Sequence, residues 1–283
     1  MAWNIGDDWI AQGPLPEIMG IVNCTPDSFF DGGTLQSLDA QEQHAIRLLD
    51  EGAGILDIGG ESTRPGASAV GIQEEIDRIA PLLGRLAVLQ NTRKFKISVD
   101  TVKSAVAQVA IGLGAQIVND VSMCRLDPEM GPTLVKTKAS VILNHLRGEP
   151  RTMQMNPIYG DCVAEVKEEL IDATLSLMRL GVEQQRICLD PGIGFGKRLE
   201  DNYALIGNAR EFVALGFPIL YGLSRKSFIG KTPGLEASDR LVPSLVAALH
   251  VAAQGVQLLR VHDVRATREA LLMWNALNAQ HSL

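Results

Sequence analysis

The stretch IMGIVNCTPDSFFDGG, residues 18–33, joins a short apolar run to a polar, glycine-rich loop. Two later stretches also follow an apolar run, where a strand would open into a loop: GGESTRPGA begins at Gly59 and LRVH begins at Leu259. The loops that follow the strands of a closed parallel barrel share one rim, so three such loops from distant parts of the sequence can meet there. The pattern predicts an active site that binds an anionic leaving group.

Short runs rich in Ile, Val and Leu alternate with longer amphipathic stretches along the whole chain. Eight of these runs are predicted strands, and their starts are about 34 residues apart on average, which suits one strand and one helix per unit. The predicted strands are Ile18–Val22, Ile55–Ile58, Lys96–Val99, Ile117–Val118, Ser140–Leu143, Ile187–Leu189, Ile219–Gly222 and Leu258–Val261.

This alternation predicts an α/β fold, a single (β/α)8 TIM barrel with its active site at the C-terminal face of the strands. Residues 1–283 are expected to form one domain, with residues 1–17 as an N-terminal lead-in. A doubly wound, Rossmann-like sheet shares the same alternation of strands and helices. However, no G-x-G-x-x-G motif follows the first predicted strand, which favours the barrel.

Composition excludes several classes of partner. The formal net charge is −7 and the sequence pI is near 5.3, which argues against a broad nucleic-acid or membrane-surface contact. The four cysteines form no C-x-x-C pair, so we expect reduced thiols and neither a disulfide framework nor a zinc site. No secretory signal and no membrane-spanning segment are recognisable, so a cytoplasmic location is expected.

Polar residues follow every predicted strand. They are Asn23, Asp57 with Glu61, Asp100, Asn119 with Asp120, Asn144 with His145, Asp190, Ser224 with Lys226, and Arg260 with His262. Any one of them, such as Asp100 or Asp120, could simply cap the following helix. Because all eight strands end in this way, we expect these side chains to project into the mouth of the barrel.

The last predicted strand carries two cationic or basic side chains on one face. Alternation places Leu258, Arg260 and His262 on the same side of the strand, so Arg260 and His262 are expected to point together into the mouth. A guanidinium can bind phosphate oxygens or stack on a flat ring. The alternative for Arg260 is an inward salt bridge to Asp57 or Glu61.

Aromatic and glycine residues near the same rim indicate a flat substrate. Phe29 and Pro65 lie in the first two loops, which could close over an aromatic ring. The motif DPGIGFGK starts at Asp190, at a strand end, and its glycines allow close approach of the backbone to a ligand. Within that motif Phe195 offers a flat wall, and Lys226 is a compact charge beyond the seventh strand.

The motifs IVNCTPDSFFDGG, DIGGESTRPGA, SVDT, VNDVS, LDPGIGFGK, GLSRKSFIG and RVHDV occur in this order between Ile18 and about His262. With them the chain resembles the dihydropteroate synthase family. The resemblance implies a TIM barrel of folate biosynthesis that joins 6-hydroxymethyl-7,8-dihydropterin pyrophosphate to 4-aminobenzoate, releasing pyrophosphate. It also implies Mg²⁺, a homodimer and a site that sulfonamides target.

The resemblance, together with the chemistry of the side chains, assigns a role to each site residue. Asp190 is expected to accept from the amide and amino edge of the pterin, with Asn119 and Asp100 on other ring nitrogens. The catalytic and phosphate-binding set is Arg260, His262, Lys226, Thr63 and Arg64, and Lys226 and Arg260 also contact the pterin ring. The aminobenzoate set is Phe29, Pro65, Phe195, Lys226 and Ser227. Asn23 is the expected protein ligand of Mg²⁺.

The expected reaction is a dissociative substitution, because a dihydropterin can stabilise positive charge on its exocyclic methylene. Two alternatives remain at this stage: a pterin-binding methyltransferase that serves a corrinoid partner, and a non-catalytic pterin binder. The sequence departs from the family pattern at Asn144, where Met is usual, and at Phe30, where a smaller residue is frequent. Asp57 is either a buried structural group or a partner of the cations.

Overall fold

A computed structural model describes residues 3–6, 8–10, 13–25, 37–62, 69–149, 152–231, 234–236 and 239–279 of the chain. Two antiparallel strands come first, β1 (Trp3–Ile5) and β2 (Asp8–Ile10). Eight parallel strands follow: β3 (Glu17–Asn23), β4 (Ile55–Gly59), β5 (Lys96–Asp100), β6 (Ile117–Asp120), β7 (Ser140–Asn144), β8 (Ile187–Asp190), β9 (Leu220–Gly222) and β10 (Leu258–Val261). All eight predicted strands are confirmed.

Helices connect the strands and cover the outside of the sheet. The longer ones are α1 (Leu38–Glu51), α2 (Ile72–Leu89), α3 (Ser104–Gly112), α4 (Met130–Thr137), α5 (Cys162–Leu180), α6 (Leu199–Gly207), α9 (Leu241–Ala252) and α10 (Val264–Ala279). Two short helices are α7 (Ala209–Val213) and α8 (Ser227–Lys231). Among the helices described, none has the length and apolar character that crossing a membrane requires.

The parallel sheet closes on itself, so the predicted TIM barrel is confirmed. Neighbouring strands pair in the order β8-β7-β6-β5-β4-β3-β10-β9. The two edge strands of this order meet through a parallel bridge between Leu189 and Ile219, and the Leu189 amide donates to the Pro218 carbonyl at 2.9 Å. Closure brings the carboxyl ends of all eight strands to one rim.

Side chains that point into the barrel change from apolar at its base to polar at its mouth. The base layer is Met19, Ile55, Ile117, Ile142, Cys188, Leu220 and Leu258, all buried. Residues between these inward positions, such as Leu259 and Val261, belong to the outer core under the helices. The period-two alternation predicted for the last strand is therefore confirmed.

The N-terminal segment does more than lead into the barrel, which corrects the expectation for residues 1–17. Trp3 and Ile5 of β1 are fully buried and pack on the base layer. The Trp3 indole donates to the Arg186 carbonyl at 3.1 Å, and the Ser140 hydroxyl donates to the Asn4 carbonyl at 2.6 Å. The hairpin therefore closes the end of the barrel opposite the mouth.

Candidate active site

One set of polar side chains from the strand ends forms the floor of the mouth. The inward positions are Asn23, Asp57, Asp100, Asn119, Asn144, Asp190 and Arg260, as expected. Their neighbours Asp120 and His145 were also expected in the mouth, and that expectation is wrong. Adjacent residues of a strand face opposite sides, so only one of each pair can point inward.

The residues that point elsewhere have structural partners. The Asp120 carboxylate accepts from the amide of Ser122 at 2.7 Å and from its hydroxyl at 2.6 Å, so it holds a local turn and does not cap the next helix, which begins only at Met130. Glu61 forms an ion pair with Lys103. His145 lies against Glu169, which belongs to the outer helix α5.

Arg260 and three inward polar residues make a buried network. The Arg260 Nε donates to Asp57 Oδ2 at 2.6 Å, and its terminal nitrogen donates to Asp100 Oδ2 at 2.7 Å. Asp57 Oδ2 also accepts from the Asn119 amide at 3.0 Å. The inward salt bridge between Arg260 and Asp57, which the sequence offered as an alternative, is therefore present. Asp57 is a partner of the Arg260 guanidinium.

The three acidic and amide residues of this network, together with Asn144, have buried acceptor atoms with no hydrogen-bond partner in the described part of the protein. These atoms are Asp57 Oδ1, Asp100 Oδ1, Asn119 Oδ1 and Asn144 Oδ1. Buried polar atoms without a hydrogen-bond partner cost free energy unless a ligand or water satisfies them. Burial raises the pKa of Asp100 to about 7, although the nearby charge of Arg260 opposes this shift. The mouth is thus prepared for a ligand with several N–H donors.

Asp190, Lys226 and Arg260 converge around Gly222, which has no side chain to separate them. The Cβ position of a residue at 222 would lie 3.8 Å from Lys226 Nζ, 3.9 Å from Asp190 Oδ2 and 3.9 Å from the Arg260 Cβ. Burial lowers the pKa of Lys226 to about 8, opposed by the charge of Asp190, and burial raises the pKa of Asp190. The carboxylate and both cations therefore share one wall of the mouth.

The loop after β9 is fixed by contacts with the end of β10. Ser224 Oγ lies 3.2 Å from both the amide and the Nδ1 of His262. The next residue, Arg225, has a left-handed backbone with φ of 57° and forms an ion pair with Asp263. These contacts place Lys226 so that its Nζ donates to the Ile193 carbonyl and lies 4.5 Å from the centre of the Phe195 ring. Ser227 follows as the exposed first residue of α8.

Asn23, the residue predicted to bind Mg²⁺, lies close to Asp100 of the buried network. Gly59 separates it from Asp100: the Cβ position of a residue at 59 would lie 4.0 Å from Asn23 Oδ1 and 3.9 Å from Asp100 Oδ2. Within the described residues, no group of three or more His, Cys, Asp or Glu side chains is arranged to hold a metal ion. One or two hard oxygen donors at the mouth fit Mg²⁺, which otherwise keeps water and phosphate oxygens as ligands.

Some predicted residues lie outside the described part of the chain, namely Phe29, Phe30, Thr63, Arg64 and Pro65. Sequence reasoning also missed a residue that the structure places next to the site. Lys197, the last residue of DPGIGFGK, is buried and donates to the Phe195 carbonyl at 3.0 Å. A charged residue directly after three closely spaced glycines was the signal that could have identified it.

Comparison with known proteins agrees with this geometry. Residues 19–262 match the family model described as pterin binding enzyme. The chain is 46% identical over 270 residues to the dihydropteroate synthase of Neisseria meningitidis serogroup B, covering 93% of each chain. The chain belongs to the dihydropteroate synthase family. The resemblance inferred from the sequence motifs is confirmed, and with it the expected enzyme class, a transferase.

Solved structures of dihydropteroate synthases have the same fold. The Xanthomonas albilineans enzyme with 4-aminobenzoic acid superposes with a TM-score of 0.90 at 40% identity, covering 98% of both chains. The same enzyme in complex with 7,8-dihydropteroate superposes with a TM-score of 0.86 at 37% identity, covering 99% of both chains.

Proposed function

We propose that the chain condenses 6-hydroxymethyl-7,8-dihydropterin pyrophosphate with 4-aminobenzoate to give 7,8-dihydropteroate and pyrophosphate, in folate biosynthesis. The observation that carries the proposal is the cluster of unpaired buried acceptors on Asp57, Asp100, Asn119 and Asn144. These oxygen atoms lack hydrogen-bond donors. A reduced pterin presents N–H donors around a flat ring and could supply them. The bound product and aminobenzoate of the Xanthomonas enzyme support the same assignment.

The pterin binds with its donor edge toward the carboxylates. Asp190 accepts from the ring amide and the exocyclic amino group, while Asn119 and Asp100 contact other ring nitrogens. Lys226 donates to the ring carbonyl. Arg260 keeps its in-plane bonds to Asp57 and Asp100, which leaves the face of its guanidinium available to stack on the pterin.

The reaction separates charge, and the site has groups of both signs to stabilise it. The C–O bond to pyrophosphate breaks first and the leaving group takes the electron pair. Positive charge then develops on the exocyclic methylene, close to the carboxylates. Arg260 and His262, with Thr63 and Arg64 of the second loop, stabilise the pyrophosphate anion. The neutral amine of 4-aminobenzoate attacks the methylene to form the C–N bond, and its surplus proton passes to the released pyrophosphate or to water, so no strong general base is required.

Magnesium would add charge neutralisation at the leaving group. Asn23 would hold the ion through its amide oxygen, and oxygen atoms of the pyrophosphate and of water would complete the ligand set. When bound, the ion would withdraw electron density from the phosphate oxygens and make pyrophosphate a better leaving group. Asp100, close to Asn23 across Gly59, keeps this side of the mouth attractive to a cation.

The aminobenzoate site lies beside the pterin, toward the loops. Phe195 forms one wall, Lys226 and Ser227 lie next to it, and Phe29 and Pro65 complete the set. The half-buried Phe195 ring already packs against the Lys226 ammonium. An aromatic ring beside an ammonium group suits an aromatic carboxylate, because the ring can pack on the ligand ring while the charge attracts the carboxylate.

A single assay tests this proposal. Purified protein is incubated with both substrates and Mg²⁺, and dihydropteroate and pyrophosphate are quantified together. We expect equal amounts of the two products. Pterin binding without either product would instead identify a non-catalytic binder, and methyl transfer to a corrinoid without pyrophosphate would identify the methyltransferase alternative. Either result would refute the proposed condensation.

A labelled substrate tests the order of bond breaking. The bridging oxygen between the methylene and the phosphorus is labelled with ¹⁸O, and 4-aminobenzoate is left out. Reversible loss of pyrophosphate would move the label into non-bridging positions of recovered substrate. Retention of the label in the bridge, in protein that turns over normally with both substrates, would contradict the dissociative path.

We also place the protein in the cytoplasm as a homodimer. The four cysteines, all among the described residues, are free thiols, which suits a reducing compartment. Exposed apolar side chains on α9 and α10, among them Val242, Val246 and Met273, support a subunit contact there. Light scattering at micromolar concentration is expected to give twice the mass of one chain, and Val246→Glu should shift it toward the monomer.

A further inference from the structure

Lys197 is a buried lysine that the proposed reaction does not use. Only 3% of the residue is exposed, and its Nζ contacts no group assigned to substrate. Instead, Nζ donates to the Phe195 carbonyl at 3.0 Å and lies 2.9 Å from Nδ1 of His145. Burying an amine is costly unless its donors are satisfied, so these two contacts define what the residue does.

His145 and Glu169 extend this contact into a directed chain of hydrogen bonds. Nε2 of His145 lies 3.1 Å from Glu169 Oε2, and the carboxylate can only accept. Nε2 must therefore carry the proton, which leaves Nδ1 as the acceptor for Lys197. Burial lowers the pKa of His145 to about 4, so the ring stays neutral near pH 7. Glu169 on α5 thus anchors His145, and His145 anchors Lys197.

Side-chain donors hold the loop between β8 and α6 through its carbonyl groups. Its glycines at 192, 194 and 196 have φ of 71°, 82° and 59°, a region where glycine is flexible. Each carbonyl from Ile193 to Gly196 accepts a side-chain donor. The donors are, in order, Lys226, Gln154, Lys197 and Tyr159. Among these donors, Lys197 is the one that binds the carbonyl oxygen of Phe195.

We propose that Lys197, anchored by His145 and Glu169, is a positioning residue that orients the Phe195 ring and so forms the aminobenzoate site. The inference rests on the proposed function, because that function assigns Phe195 to 4-aminobenzoate. Lys197 does not touch substrate and acts through the Phe195 carbonyl. Removing its donors frees the Phe195 carbonyl, while the Phe195 amide keeps its bond to the Gly192 carbonyl at 3.0 Å and Asp190 keeps its bond to the Gly192 amide at 2.8 Å.

Kinetics of Lys197→Met test the role, since Met keeps the apolar stem and removes the donors. We expect the KM for 4-aminobenzoate to rise about tenfold and the Kd of the pterin pyrophosphate to change by less than about threefold. In a Phe195→Ala background, Lys197→Met should raise KM no further, because the ring to be placed is absent. Equal, additive losses in both backgrounds would overturn the proposal.

Two further variants separate positioning from general stability. Lys197→Gln retains an N–H donor for the Phe195 carbonyl and should recover part of the lost aminobenzoate affinity; it also replaces Lys197→Met if that variant does not fold. The exposed Lys136 on α4 provides the control Lys136→Met, which should behave as wild type. Absence of any recovery with Gln, at normal folding, would count against the carbonyl contact.

Hydrogen exchange gives a readout that does not depend on activity. Amides 192–197 should exchange faster in Lys197→Met than in wild type, with no change in Lys136→Met. Unchanged exchange would refute the positioning role. If the wild-type protein forms no dihydropteroate, the proposed function fails, and the exchange rates still decide whether Lys197 holds this loop.

Discussion

At the scale of single residues, the ion pair of Arg260 with Asp57 lies at the centre of the polar network in the mouth. Asp57 is fully buried and accepts from both Arg260 and Asn119 through the same oxygen. Removing Asp57 would leave Asp100 as the remaining ion-pair partner of Arg260 and would take away the acceptor of the Asn119 amide, and the loss of a buried partner is strongly destabilising. The pair therefore holds the floor of the mouth together as well as orienting the guanidinium.

Asp57→Ala should lower the free energy of unfolding by about 3–5 kcal/mol, because Arg260 would lose a buried partner. Urea denaturation at pH 7 followed by circular dichroism measures the change. Asp172→Ala, at an exposed position on α5, is the control and should change stability by less than about 0.5 kcal/mol. Equal stability of the two variants would show that the pair contributes little.

Asp190→Asn should weaken binding of the pterin pyrophosphate by about 1.5–3 kcal/mol, roughly 10- to 150-fold. Asn has one acceptor oxygen where Asp has two, so it cannot accept the two parallel N–H bonds of the pterin edge, and it lacks the negative charge near Lys226. Titration calorimetry with Mg²⁺ present measures the Kd, and Asp172→Asn serves as the matched control. Wild-type affinity in Asp190→Asn would remove this residue from the pterin site.

The sequence predicts which way a side chain points where the period-two alternation of a strand applies. It does not predict contacts between side chains that are distant in the sequence. Period two was sufficient to place Arg260 inward, because a strand has only two faces. The same alternation allows only one of Asn144 and His145 to face the mouth, and the expectation that both would do so did not take it into account. The contact of His145 with Lys197 depends on how the β8 loop packs against β7, and no local pattern encodes that packing.

At the scale of secondary structure, all eight barrel strands were predictable because each is a buried apolar run with a polar end. The hairpin of β1 and β2 was not predictable, since each strand has only three residues and period-two patterns need longer runs. Its stability comes from distant partners: Trp3 meets Arg186, and Asn4 meets Ser140. Such contacts exist only after the barrel has closed.

Trp3→Ala should lower the free energy of unfolding by about 3–5 kcal/mol, because a fully buried indole and its bond to Arg186 are lost. Trp3 lies at the base of the barrel, so kcat and both KM values of the folded fraction should stay within about twofold of wild type. Thermal unfolding and steady-state kinetics check the two expectations. A selective rise in either KM would show that the base and the mouth are coupled.

At the scale of the whole molecule, the protein buries ionisable groups to build its site and its supporting loop. Burial lowers the pKa of Lys197 to about 7 and of Lys226 to about 8, and it raises the pKa of Asp100 to about 7. Each shift makes stability depend on pH. Between about pH 4 and pH 7, folded Asp100 keeps a proton that the unfolded chain has released. Its contribution to the stability of the folded protein therefore falls as the pH rises through this range.

Lys197 should have the opposite effect at higher pH. Between pH 7 and about 10, the unfolded chain keeps a proton on this lysine that the folded protein has released, so stability should rise with pH. The rise is at most about 1.4 kcal/mol per pH unit for one proton. Urea denaturation at pH 7.0 and 9.5 should therefore show wild type gaining stability relative to Lys197→Met, but not relative to Lys136→Met. A constant difference between wild type and Lys197→Met would mean that Lys197 stays protonated in the folded protein throughout this range.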